Sequence, residues 1–299
     1  TGVGGTSNNH WNHANFSGGV ANGLVVTTAS PPPAAPTNLT NPAKTATSVQ
    51  LNWSGSGPAY RMVYRTGSTP PANEADGTIV NLPNLATTTI SSLAAGPTYT
   101  FRVFSRTADN SLFTAGPSIT VTLPPSITSS TAAVNGTVNV AIANYAITAS
   151  NAPTGYGATN LPPGVGVNPS SGLVSGTPTA RGGFAATITA SNGGGTGSAT
   201  KSFNIAGLAQ SIAFGAAPTP TFSPGGTFTV TATASSGLPV TFSGISSNCF
   251  LESSTVNSAV FQMSGAGPCE VRANQFGSTL FEPAPEATQT ITIAAGPPA

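Results

Sequence analysis

The sequence predicts an all-β chain, three β-sandwiches in series behind an N-terminal extended strand segment, and three observations carry that expectation. Its 299 residues are too many for one sandwich and suit two or three domains of about 100 residues each. Val, Ile and Thr recur in short alternating runs, the period-two pattern of strands that bury one face. Glycine (35) and proline (27) punctuate those runs at the spacing of a sandwich rather than of βαβ units.

Only 5% of residues are charged, against roughly 25% in an average soluble protein, so the surface must be built from Thr, Ser, Asn and Gly. The 38% hydrophobic content decides for folded structure over disorder. A net charge of +1, with eight cations that never cluster, leaves no footprint for nucleic acid. No apolar run approaches the roughly 18 residues needed to cross a bilayer. The first residue is Thr1, which fits a mature product trimmed of a signal peptide, and export is therefore the expectation.

Residues 1–34 run from a Gly/Asn-rich opening through Gly23-Leu24-Val25-Val26-Thr27-Thr28 to Pro31-Pro32-Pro33. That reads as one strand and then a semi-rigid linker. In residues 35–124, Val49, Leu51 and Trp53 share one face of a strand, as do Tyr60, Met62 and Tyr64 of the next. Further strands are expected at 88–93, 98–105 and 118–122. In residues 125–207, after Pro124-Pro125, strands are expected at 137–141, 145–150, 185–191 and 198–205, around the turn-rich stretch 160–179. Residues 208–299 carry QSIAFG, FTVTATASSGLPVTFSG and TQTITIAAGPPA.

The stretches APTNLT, SVQLNW with Trp53, AYRMVYR and LAAGPTYTFRVFSR make residues 35–124 resemble a fibronectin type III module. The resemblance implies core positions for Leu93 and Tyr99. NLPPGVGVNPSSGLVSGTPT, residues 160–179, resembles the Ig-like modules of bacterial surface proteins, in which a Leu-Pro-Pro-Gly turn leads through a short strand to a Ser-Gly-Thr-Pro turn. Its physics is turn chemistry, with Pro presetting φ and Gly supplying positive φ. The SSGLPVTF stretch makes the third region similar to another bacterial Ig-like repeat, in which a Cys pair brackets a variable hairpin. These resemblances imply spacer or adhesive roles rather than chemistry. The pentapeptide ITASN occurs twice, at 147–151 and 188–192, and reads as strand-and-turn composition.

Cys249 and Cys269 are the only cysteines and fall in one module, which favours a local disulfide in an oxidising compartment over two buried thiols. The seven acids are Glu74, Asp76, Asp109, Glu252, Glu270, Glu282 and Glu286, and none lies in residues 125–207. Glu74 and Asp76 share one loop and read as solvated charges rather than a carboxylate pair. His10 and His13 are spaced so that two imidazoles could meet one cation if a third ligand came from elsewhere, but with no acid or thiol nearby the segment reads as exposed or packed polar chain, and no Ser triad can be proposed. Lys44 and Lys201 are the only lysines, and Lys201 has no acid in its own module to help form a cross-link to an Asn side chain.

No catalytic residue, cofactor or metal is therefore expected, and the chain reads as non-enzymatic. Its modules carry formal charges of +2, +2 and −3 behind a neutral first segment, a pattern suited to head-to-tail association. The spare N-terminal strand suggests addition to another copy's sheet edge, with Trp11, Phe16, Leu24, Val25 and Val26 as candidate contacts. The leading expectation is a structural subunit of a bacterial extracellular filament, sheath or surface layer that polymerises through such strands. An adhesin fragment with a carbohydrate or cell-surface partner, and spacer modules of a larger secreted hydrolase, are the alternatives.

Overall fold

The computed structural model describes residues 31–96, 98–244 and 246–297. Among them are twenty-one strands and no helix, forming six sheets that enclose three separate cores.

In the first sandwich, β1 (Thr37–Lys44), β2 (Val49–Ser54) and β5 (Thr87–Ile90) form one sheet, in the order β1, β2, β5. The other sheet runs β4 (Thr78–Leu82), β3 (Ala59–Thr66), β6 (Thr98–Arg106), β7 (Phe113–Thr122). Alternation selects the core: Val49, Leu51 and Trp53 from β2 meet Tyr60 and Met62 from β3 and Tyr99, Phe101 and Val103 from β6. Tyr64 packs at the margin of this core, its ring 5.4 Å from that of Phe101. Leu93 is buried, and the Tyr99 hydroxyl donates to the Ala94 carbonyl at 2.8 Å, pinning the turn that carries Leu93. β7 begins five residues earlier than the alternation suggests. Its pairing with β6 slips between Arg102 and Phe104, so Gly116 and Pro117 together oppose Val103. A bulge is where a sheet can accept a proline.

The second sandwich sets β10 (Gly155–Thr159), β13 (Gly182–Asn192), β14 (Gly195–Ala206) and β8 (Val134–Thr137) in one sheet, with β8 parallel to β14. The facing sheet is short, running β11 (Val165–Val167), β12 (Leu173–Gly176), β9 (Tyr145–Ala146). Two strand expectations need correction here. The strand expected at 137–141 lies at 134–137, because Asn139 takes a left-handed φ of 62° and its amide bonds the Pro178 carbonyl. The strand expected at 145–150 keeps only two ladder residues. Beyond them Ile147 bonds Gly172 while Thr128 and Ser150 exchange bonds with Thr148 and Ser126, an extended path with changing partners.

The two turn motifs of this sandwich lock onto one another. Gly164 and Gly176 both have positive φ, 86° and 140°. A Cβ on Gly164 would lie 2.1 Å from the Thr177 carbonyl oxygen, and one on Gly176 would lie 2.3 Å from that of Gly164. Thr177 N bonds Gly164 O at 3.1 Å and Thr179 N bonds Pro163 O at 2.9 Å. Glycine is required here by backbone-to-backbone approach as well as by turn conformation.

The third sandwich orders its strands β15 (Ile212–Phe214), β16 (Thr227–Ala234), β19 (Ser258–Met263), β18 (Cys249–Thr255) against β17 (Thr241–Gly244), β20 (Gly267–Asn274), β21 (Ala287–Ile293). That is the four-on-three order of a constant-type immunoglobulin sandwich. β16 alternates without a break, burying Phe228, Val230, Ala232 and Ala234, and Phe228 stacks on Phe261 of β19 at 5.8 Å. Cys249 and Cys269 are joined by a disulfide, with Cα atoms 5.7 Å apart. The bond crosses the core from β18 to β20 and ties an edge strand to the opposite sheet. Closing a loop of this size contributes about 3 kcal/mol in the chain-entropy model.

Candidate functional site

Several of the buried polar groups described lie where the sandwiches meet. Asn151 follows the path of β9 and is 5% exposed, with a φ of 57° that Asn adopts more readily than most residues. Its Nδ2 donates to Ala46 O of the first sandwich (2.9 Å) and to Pro124 O of the connector (2.8 Å). Its Oδ1 accepts from Gly96 N at 3.1 Å. Asn192, at the end of β13, donates from Nδ2 to Leu123 O (2.9 Å) and to the Asn151 backbone carbonyl (2.7 Å), and its Oδ1 accepts from Gly194 N at 2.7 Å. Glycine makes the approach feasible. A Cβ on Gly194 would lie 2.4 Å from Thr122 O, and one on Gly197 would lie 2.1 Å from Pro125 O.

Asn151 and Asn192 are the final residues of the two ITASN pentapeptides. Ile147 and Ile188, the first residues, are both buried in the second core. The repeat is strand-and-turn composition, as its sequence suggested, and it also has a structural use. It is one device used twice, an isoleucine anchored in the core and an asparagine carried to the same end of the sandwich.

The far end of β13 makes the second junction with a different chemistry. Arg181 N donates to Thr279 O at 2.8 Å and its Nε donates to Ser278 O at 2.8 Å. Its guanidinium pairs with Glu282, whose other oxygen accepts from Gly207 N in the connector. The Gly207 amide first, and Arg181 second, hold the Glu282 carboxyl below its ordinary pKa. The loop after β20 is braced from behind, with Gln210 Nε2 donating to the Glu282 carbonyl at 2.7 Å and to Gln275.

Lys201 is the buried group that the acid inventory passed over. It is 2% exposed on β14, with Nζ donating to Ser130 O (2.9 Å) and Ala132 O and standing 4.0 Å from the centre of the Tyr145 ring. Carbonyl dipoles and a π face substitute for a carboxylate, and burial depresses its pKa. Parity was the available signal. Lys201 shares its side of β14 with Phe203 and Ile205. Lys44, by contrast, is exposed at the end of β1.

The acids serve turns and ion pairs. Asp76 accepts from Ala72 N at 2.7 Å and pairs with Arg65 at 3.1 Å, and these contacts, the amide foremost, lower its pKa. Hydrogen bonds from Thr107 and Ser111 bring Asp109 down to about 2. Arg272 bridges Glu270 and Glu286 at 3.2 and 3.0 Å. Glu74 contributes its backbone carbonyl to Arg61 at 3.4 Å. Among the described residues no three His, Cys, Asp or Glu side chains group closely enough to hold a metal. An open groove of about 470 Å³ on the first sandwich is lined by Tyr64, Arg65, Thr78, Leu93 and Tyr99. His10, Trp11, His13, Phe16, Leu24, Val25 and Val26 lie outside the described residues.

No protein-family model matches the chain, and no curated protein does. Solved structures similar to it include the I-band fragment I67–I69 of titin, 12% identical over 90% of this chain and 100% of that one with a TM-score of 0.32. The chicken CNTN1 FN1–FN3 domains are 14% identical over 87% and 99%, with a TM-score of 0.28. A candidate α-galactosidase of Bacteroides fragilis NCTC 9343 is 22% identical over 29% of this chain, which spans 20% of that protein's length, with a TM-score of 0.25. At such scores the fold rests on the sheets described above.

Proposed function

We propose that this chain is a non-enzymatic structural subunit of a bacterial extracellular filament, sheath or surface layer. Its three sandwiches act as a spacer of fixed geometry, and residues 1–34 join one copy to the next. The observation that carries this reading is the junction built on Asn151, in which three hydrogen bonds from one buried side chain tie the first sandwich and the connector to the second. Flexible tethers between catalytic or binding modules do not need such a joint, whereas a spacer that must transmit position does. The disulfide and the scarcity of lysine and acids add support, since an oxidising, protease-rich exterior favours both.

Negative-stain microscopy and sedimentation of the purified full-length chain test the proposal. Fibres or sheets that grow with protein concentration are expected. A chain that stays monomeric while binding defined sugars on a glycan array would turn the reading towards an adhesin.

A further inference from the structure

Five of the twelve edge strands among the described residues carry a feature that blocks further pairing. β1 carries Pro42 and two slips in register. β7 carries Pro117 and its bulge, and Gly116 sits against Pro36, where a Cβ would lie 2.9 Å from the Pro36 carbonyl oxygen. On β4 the Leu82 carbonyl is capped by Arg106 at 3.3 Å, and on β10 the Tyr156 amide is taken by Pro169 O at 2.9 Å. β21 has Gln289 reaching across it to Gly215 O at 2.9 Å.

β18 is different. Its seven residues contain no proline, its ladder with β19 has one register shift, between Leu251 and Ser253, and beyond Cys249 every residue is exposed. Phe250 and Leu251 project to opposite faces, 49% and 37% exposed, a poor use of apolar surface for an edge that stays in water. The disulfide at Cys249 fixes the strand at one end, and short stretches of unpaired edge remain on either side of the shift at Glu252.

We propose that the outer edge of β18 accepts residues 24–28 of a second copy of this chain, which rests on the assembly reading and gives it a specific joint. Leu24-Val25-Val26-Thr27-Thr28 is a β-prone run, and residues 1–35 contain no Asp, Glu, Lys or Arg. Pairing β18 with another β18 would close a twofold dimer and set Glu252 near its own counterpart, whereas an uncharged donor avoids both outcomes.

In an extended or right-angled arrangement of the sandwiches the donor is out of reach of its own third sandwich. Ala34 is held to the first sandwich by Ser105 Oγ at 2.7 Å, so the ten residues from Leu24 reach at most about 36 Å. Gly96, at the junction, and Ser105 lie near opposite ends of β6, about 30 Å apart at 3.3 Å per residue. Asn192 and Arg181 mark opposite ends of the eleven-residue β13, a further span of about 36 Å. Even a right-angle bend between the two leaves about 45 Å to the start of the third sandwich. In that arrangement a donor that pairs there belongs to a neighbour, and the contact is head to tail, which builds a polymer.

The test is complementation. Residues 31–299, which contain all three cores, retain the acceptor without the donor, and full-length Leu251→Lys retains the donor with a charged edge. Each is expected to sediment as a monomer with unchanged circular dichroism, and their mixture as a one-to-one dimer that grows no further. In full-length chains, mixing Val25→Cys with Ser254→Cys is expected to yield a disulfide-linked pair that either variant alone does not give. Polymers of wild type that persist in Leu251→Lys, with no Val25-to-Ser254 cross-link, would overturn this joint and leave the assembly reading standing. A wild-type chain that stays monomeric at millimolar concentration would overturn both.

Discussion

The two junctions solve one mechanical problem with opposite chemistries. The first uses amides only, with Asn151 and Asn192 meeting backbone carbonyls and amides, and no charged side chain takes part among the contacts described. The second uses an ion pair, Arg181 with Glu282, plus two bonds from Arg181 to the loop that carries its partner. Neutral hydrogen bonds in a dry joint are indifferent to salt and to pH across the range where carboxylates titrate. A half-exposed ion pair is sensitive to both. The contrast separates a joint that is permanent from one that responds to its surroundings.

The largest expected effect is on the first junction. Asn151→Ala removes three bonds, about 3 kcal/mol at ~1 kcal/mol each, and forces alanine into a left-handed conformation at about 1 kcal/mol more. The first two sandwiches, expected to unfold together in wild type, should then melt as separate transitions in calorimetry. Asn151→Gly keeps the backbone conformation and isolates the loss of the bonds. Next comes Gly194→Ala, whose methyl group would collide with the Thr122 carbonyl. It should weaken the same joint by about 2 kcal/mol, in the range of overpacking costs, with no change in the third sandwich.

The second junction should respond more weakly and to different variables. Glu282 has a depressed folded pKa, so its contribution is complete above the ordinary value of 4.5 and is lost as pH falls through the lower folded value. The Gly207 amide resonance is therefore expected to shift as pH is lowered below 4.5, while the Gly96 amide, bound to Asn151, stays in place. Arg181→Lys, which lacks the Nε donor to Ser278, is the smallest change, on the order of 0.5–1 kcal/mol. It should persist as salt is raised, because lysine keeps the charge and what is lost is a hydrogen bond to a carbonyl.

The sandwiches were more legible in the sequence than the joints. Val49, Leu51 and Trp53 announce a buried face because alternation is a local property, and Leu93 and Tyr99 fall where the motif around them implies. Asn151 and Asn192 lie 41 positions apart, so nothing local says that they touch. The repeat that contains them was visible, but its meaning depends on the two sheets bringing both ends to one surface. The burial of Lys201 was not legible for a related reason. A search for acids looks for side chains, and its partners are the backbone carbonyls of Ser130 and Ala132, which no residue type advertises. β8 and β9 were misplaced because their partners change along the chain, a tertiary choice that overrides the period-two pattern.

Electron spin-echo distances between nitroxide labels most directly test whether the joints fix the modules. Ser118 of the first sandwich and Ser202 of the second are both exposed and suit a label pair across the first junction, and Ser202 with Thr288 spans the second. The account expects a narrow Ser118–Ser202 distribution that is unchanged between low and high salt and between pH 7 and pH 3.5, and that broadens in Asn151→Ala. It expects the Ser202–Thr288 distribution to broaden as pH falls through the lowered folded pKa of Glu282. A broad Ser118–Ser202 distribution in the wild-type chain at neutral pH, or one that Asn151→Ala leaves unchanged, would contradict the claim that asparagines set the geometry of the first junction.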